Sequence, residues 1–441
     1  MLLEFRAKNY KQFVDELVFS MKPAPKQKGL DYSILQAESG SRTYKALSTA
    51  VIYGPNAAGK TNLIGAMEVF KEIVLRGNIR NGVYRNEPNA AVQRLELIPS
   101  VACTERVPVE FAIHFWEQGL FFEYELSLDL GFFMEEDYDR NIVQEVLRVN
   151  DKLIFSRQNE LSFGDLTAIH EYWVNGFADS KEGAVTLAKN NLHNEELFLN
   201  NGFKTMFSAK LVQLVNNWLE KKFMVFCRAD AIETIKHVSN PVKHIAYIDK
   251  PFNDAARIFG VTANELGFLF HDDDDDPARI SILDSDNALQ AEVFESLGTI
   301  RFMNLFPLLV RALLMGGTLI IDEFDASIHP MALMSLVNIF HNDDINKHKA
   351  QLIFNTHNPI FLNANLFRRD EIKFIERDED THQSVHYSLS DFGTSGEKGV
   401  RKHEDYMKNY FVSRYGAIRE VDFTPVFEKI MQDVDGAVSD D

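Results

Sequence analysis

Eight residues in the first third of the chain have the types and spacing to hold a phosphate. Gly54-Pro55-Asn56-Ala57-Ala58-Gly59-Lys60-Thr61 fits G-x-x-x-x-G-K-[ST], and each part of that pattern has a chemical task. Glycine lets the backbone bend until its N–H groups converge on an anion. Lys60 brings a compact charge that can bridge β- and γ-phosphates, and the Thr61 hydroxyl can ligate Mg²⁺. Asn62 follows directly, where the loop has become helix. A second set of groups lies far downstream. The apolar run Thr318 to Ile321 ends in Asp322-Glu323; the first carboxylate suits Mg²⁺ and the second suits a base that polarises an attacking water. His357, in Phe354-Asn355-Thr356-His357-Asn358-Pro359, can aim its ring at a γ-phosphate. Ser296 and Gly298, inside Glu295 to Thr299, open an apolar helix and offer a hydroxyl and N–H groups to an anion.

These groups need elements to carry them. Thr49 to Tyr53 reads as a short buried strand running into the glycine loop. Residues 60–75 place Leu63, Met67, Phe70 and Val74 at helical spacing. The first 22 residues read as a β-hairpin, and 23–47, with Pro23, Pro25 and several Lys and Ser, as an exposed loop. From Val107 to Phe163 aromatic or branched residues alternate with polar ones, the period of a half-buried sheet. Residues 165–270 have a mostly helical texture. Beyond them, strands at 318–322, 351–356 and 371–376 and a helix around Leu333 to Phe340 fit alternating α/β units. No internal repeat or sustained heptad is present, so no long coiled-coil arm is expected.

Composition narrows the class. The chain has 441 residues, 45% of them hydrophobic, with 35 Phe and 13 Tyr, which excludes a wholly disordered chain. Cys103 and Cys227 alone cannot staple a secreted disulfide scaffold. The N-terminal stretch carries Glu4 and Arg6 where a signal sequence needs an apolar core, and Phe302 to Ile321 is interrupted by Asn304, Pro307 and Arg311. A cytoplasmic protein with no membrane segment is the expectation. Forty-six Lys and Arg against 65 Asp and Glu leave a formal charge of −19, which counts against long-range attraction to nucleic acid. The run Asp272 to Asp276 and the pair Asp378/Asp380 read as solvated acidic turns.

The ordered set resembles a known family. Residues 54–63, 295–299, 319–330, 354–359, 389–392 and 414–418 together look like an ABC-type ATPase head of the SMC/RecF/OLD kind. More closely they resemble the AAA-family ATPases of bacterial phage-defence and abortive-infection systems, the AbiLii- and RloA-associated type. The resemblance implies an α/β fold: a P-loop head made of a mixed β-sheet lobe and an α/β lobe, with a mainly helical insertion. Its expected parts are an N-terminal ATPase lobe (1–164), the insertion (165–275) and a C-terminal lobe (276–441). It implies ATP and Mg²⁺ as ligands, with Gly54 to Asn62 on the phosphates and Thr61 and Asp322 on the metal. Glu323, His357 and Lys60 would be catalytic, and Ser296 and Gly298 would form a signature that meets ATP held by the other protomer of a head-to-head dimer. Residues 326–329 would lie at that interface. The glutamine that relatives place between loop and signature has Gln93 and Gln144 as candidates. The implied function is an ATPase that assembles around nucleotide as a homo-oligomer and controls a separate effector, such as a nuclease, in anti-phage defence. An ATP-dependent DNA-binding protein of repair or recombination is the alternative, and a self-contained metal nuclease is a third class.

Overall fold

The computed structural model of the chain describes residues 1–80 except 26 and 28, 98–135, 138–227, 246–270 except 262, and 278–438 except 286, 395–398, 402, 403 and 420. The central sheet has six strands in the order Phe223–Phe226, Thr318–Ile321, Gln351–Asn355, Thr49–Tyr53, Ile372–Arg377 and Ser384–Ser388; all pairs are parallel except the last. Its inner strands are mostly apolar because both faces are covered. Alternation then divides each strand between two cores. Ala50, Ile52, Ile320, Ile353 and Ile375 face one cluster, while Val51, Tyr53, Leu319, Ile321, Leu352, Phe354 and Phe374 face another.

The first cluster joins this sheet, through the helix Lys60–Arg76, to a seven-stranded antiparallel sheet. That sheet runs in the order Leu161–Phe163, Lys152–Arg157, Asn141–Val149, Leu120–Asp129, Val109–Glu117, Leu2–Lys8, Leu17–Ser20. Phe70, projecting from the helix, meets Phe5, Phe111 and Tyr124 edge-on or tilted, with centroids 5.9–6.3 Å apart. Such aromatic contacts orient the helix as well as bury it. The expected N-terminal hairpin is present, Glu4 opposite Ser20. The second cluster lies under the helices Leu297–Met315 and Pro330–Phe340. Helix Leu297–Met315 is long and apolar enough to cross a membrane by length and composition, yet Leu305, Leu308, Leu309 and Ala312 are buried against the sheet.

One expectation changes. Residues 23–47 are not one loop, since Ile34–Ser39 and Arg42–Leu47 pair as a hairpin. Leu35, Ala37, Ala46 and Leu47 face inward while Glu38, Arg42 and Lys45 face out, so charge conceals the alternation. Gly40, at φ 57°, makes the turn. Residues 165–275, expected as a mainly helical insertion, contain several helices together with short strands. Phe177, Phe198, Phe203, Phe207 and Trp218 join the first core, and Phe223–Phe226 becomes an edge strand of the central sheet. Four apolar residues after a helix give no period that separates strand from helix. Further on, Ala246–Tyr247, Glu265–Leu269, Ala278–Ile282 and Ala288–Gln290 form a small antiparallel sheet. Its central hairpin crosses the boundary drawn at 275/276. The helix Lys250–Phe259 ties this sheet to Leu297–Met315, with Phe259 stacked 4.5 Å from Phe302.

Candidate functional site

Parallel strands bring their carboxyl ends to one edge, the usual place for a ligand in an α/β sheet. Thr49–Tyr53 delivers the loop from Gly54 to Gly59, Thr318–Ile321 delivers Asp322 and Glu323, and Gln351–Asn355 delivers His357. A cavity of about 250 Å³ opens there, lined by Gln12, Asn56 to Asn62, Asp322, Glu323, Asn355 and His357. Pockets that enclose whole drug-sized ligands are larger, roughly 300–1,000 Å³, so this cavity has room for part of such a ligand.

The loop is held from beneath and from the side. A Cβ on Gly54 would meet the Ile375 carbonyl oxygen at 2.3 Å, so only glycine lets the loop start this close to the neighbouring strand. Ala57 (φ 62°) and Gly59 (φ 112°) take left-handed backbone that turns the chain into its helix. Ser384 Oγ donates to the Ala58 carbonyl at 2.7 Å. Gly59 caps the helix without any side-chain acceptor, which leaves first-turn N–H groups available to an anion.

The polar groups are tightly interlinked. Lys60 folds over its own loop, its Nζ donating to Gly54 O at 2.7 Å and Pro55 O at 3.0 Å. Burial pushes its ammonium down to about 8, against the pull of Asp322 and Glu323. Thr61 Oγ1 donates to Asp322 Oδ2 at 2.9 Å, and Asn355 Nδ2 donates to Asp322 Oδ1. Burial raises the Asp322 carboxyl although both hydrogen bonds act to lower it. A half-desolvated carboxylate next to a hydroxyl is the oxygen donor set Mg²⁺ accepts. His357 is held below its ordinary value by desolvation first and by Lys60 second. Its loop is pinned by Tyr53, whose hydroxyl donates to Asn358 O at 2.8 Å.

Of the residues expected from sequence, Asn56 to Asn62, Asp322, Glu323 and His357 meet at this cavity, and Gly54 and Pro55 support it through Lys60. Ser296 and Gly298 do not line it. Ser296 caps the helix Leu297–Met315 by accepting from Thr299 N, and Leu297 beside it is 79% exposed. Gln144 is not at the cavity. It lies on Asn141–Val149, accepting from Gln158, because its side chain belongs to the far sheet. Gln93 and the run Asp272 to Asp276 lie outside the described residues. Asp378 caps a turn, accepting from Asp380 N at 3.1 Å and Thr381 N at 2.7 Å. No group of three or more metal-ligating side chains occurs among the described residues. Sequence reasoning missed Gln12, which accepts from Asn62 Nδ2 at 3.0 Å, and Asn355. A polar residue closing the apolar run Leu352-Ile353-Phe354 was a readable signal for Asn355; Gln12 arrives by tertiary packing and had none.

Comparison with known proteins gives three findings. The sequence matches, over residues 50–363, a family described as "AAA domain, putative AbiEii toxin, Type IV TA system". No curated protein matches the chain. Among solved structures it is similar to SMC heads. One is the SMC head domain from Thermotoga maritima, at 12% identity over 88% of this chain and 98% of that one, TM-score 0.34. Another is the Smc head domain with an extended coiled coil, bound to the C-terminal domain of ScpA derived from Pyrococcus furiosus; it shows 13% identity over 88% and 96% of the two chains, TM-score 0.40.

Proposed function

This chain belongs to that AAA-domain family, matched over more than two thirds of its length, and from that premise we propose that it binds and hydrolyses ATP with Mg²⁺ in a paired assembly. The observation that carries the reading is the convergence of Lys60, Thr61, Asp322, Glu323 and His357 on one cavity although Lys60 and Asp322 are remote in sequence. In it, N–H groups of residues 56–61 and the Lys60 ammonium bind the phosphates, Lys60 giving up its two loop carbonyls for stronger anionic partners. Thr61 and Asp322 would hold Mg²⁺, which neutralises charge on the transferred phosphoryl group. Glu323 polarises the water. His357, neutral at pH 7 given its lowered pKa, donates or accepts one hydrogen bond at the cavity mouth.

The exposed Ser296–Gly298 turn supports completion of each site by a second copy. A helix start that is exposed at Ser296 and Leu297 and does not line the cavity of its own chain is suited to a phosphate held elsewhere. ATP would then favour the paired state because only there are both contact sets made. Control of a separate effector, such as a nuclease, in a cytoplasmic defence response is the setting we propose, supported by the family's description as a toxin of a toxin–antitoxin system.

The test is the mass of purified Glu323→Gln protein by light scattering, with and without Mg²⁺–ATP. A rise to a dimer or larger assembly is expected. A monomer under both conditions would remove the paired mechanism, and unchanged ATP affinity in Lys60→Ala would remove the phosphate assignment.

A further inference from the structure

Glu323 has left-handed backbone, φ 51°, a region that residues with a Cβ seldom occupy. Both of its peptide groups are held by side chains from other elements. Its N–H donates to Asn355 Oδ1 at 2.5 Å, and Asn355 also holds Asp322. Its carbonyl accepts from Ala326 N at 3.1 Å and from Arg301 Nη2 at 3.0 Å. Asn355 belongs to the neighbouring strand of the same sheet and is a fixed support. Arg301 belongs to the helix that begins just after Ser296, and is only 8% exposed.

That helix touches the turn after Glu323 at a second point. A Cβ on Gly298 would lie 2.5 Å from Ser327 O, so helix and turn are in backbone contact. Gly298 and Arg301 are three residues apart and share a helix face. A displacement of the Ser296–Gly298 end therefore moves the guanidinium that holds the Glu323 peptide. Because that peptide is in a seldom-occupied conformation, its orientation depends on the groups that hold it.

We infer that Arg301 is a positioning residue for Glu323, setting its carboxylate according to whether the Ser296–Gly298 turn of the same chain is engaged by nucleotide on a second copy. The inference rests on the paired-site reading above. It makes hydrolysis at one site depend on occupancy of the other, through a named bond. Neither Lys60 nor Thr61 is involved, so ATP affinity is independent of it.

Two experiments on the full chain test this. Arg301→Gln should keep ATP affinity, KM and ATP-driven assembly, while kcat falls roughly 5- to 150-fold, the usual size of a coupling between sites, and the ATP dependence loses its cooperativity. Arg301→Lys, which keeps one donor, should recover part of kcat. Unchanged kcat and cooperativity in Arg301→Gln would overturn the inference and leave the paired-site reading intact. The second experiment leaves Arg301 unaltered. Lys60→Ala protein is mixed with Ser296→Arg protein, so that the only competent sites join the phosphate loop of the second to the signature of the first. The Glu323 in such a site lies on a chain whose own signature is not engaged, and turnover per competent site should fall by the same factor. Wild-type turnover per site in the mixed pair would overturn the inference. Wild-type protein that neither assembles on ATP nor hydrolyses it would instead overturn the underlying reading.

Discussion

Replacing Gly54 by alanine tests whether the start of the phosphate loop needs its close approach to the neighbouring strand. The new Cβ would sit 2.3 Å from the Ile375 carbonyl oxygen, where ordinary contact begins at 3.4 Å, so loop and strand must separate by 3.4 − 2.3 = 1.1 Å. The obstacle is backbone in a paired strand, Ile372–Arg377 lying beside Thr49–Tyr53, and no rotamer change relieves it. Overpacking of this kind costs roughly 1–3 kcal/mol. Set against an unfolding entropy of roughly 0.9 kcal/mol/K for a chain of this size, that lowers Tm by about 1–3 °C. The effect on ligand is larger. A loop shifted by about an ångström loses at least one N–H bond to phosphate, and a hydrogen bond to a charged group contributes roughly 1.5–3 kcal/mol, or about 10- to 100-fold in affinity. Calorimetric titration of ATP, paired with a thermal melt, reads both. An alanine variant with wild-type affinity and wild-type Tm would refute the close approach and the loop geometry drawn from it.

Three further outcomes are expected. With the Lys60 ammonium pushed down to about 8 in the free protein, bound phosphates restore its charge, so ATP binding above that pH takes up a proton and affinity weakens as pH rises from about 7 to about 9. Titration at about pH 8.5 in two buffers of different ionisation enthalpy measures the proton; no uptake in the wild-type protein would contradict the lowered pKa of the buried lysine. Glu323→Gln should bind ATP normally and hydrolyse it roughly 100-fold more slowly or worse; wild-type turnover by phosphate release would move the base elsewhere. Asp378→Ala removes the acceptor of a surface turn, so ATP binding and turnover should be unchanged, and a loss of either would bring that turn into the site.

How much of this was legible beforehand differs from group to group. The loop from Gly54 to Thr61 was readable because its chemistry is local. Glycines, lysine and hydroxyl must be contiguous to wrap one phosphate, and the flanking strand and helix announce themselves by their own periods. Asp322, Glu323 and His357 were readable as polar groups at or just beyond the ends of apolar runs, since charge is costly inside a run buried on both faces. Asn355 carried the same signal in weaker form. Gln12 did not, because it comes to the cavity through the packing of the N-terminal hairpin against the loop helix and Ser384, whose N–H donates to Gln12 O at 2.9 Å.

Strand order was decided only in three dimensions. Phe223–Phe226 and Ser384–Ser388 close the two edges of the central sheet, and nothing local to either segment specifies its neighbour. The charge-rich hairpin at 34–47 escaped for a related reason: its apolar residues make a face only once a partner covers them. The bond from Arg301 to the Glu323 carbonyl likewise has no local signature, since a buried arginine in an apolar helix reads as an interruption until the turn it holds is known. The sequence by itself determined the glycine loop and the polar groups that close its apolar runs, because each of those signals lies within a few residues of chain. Tertiary structure decided which remote atoms meet, because that depends on burial shared between segments far apart in the chain.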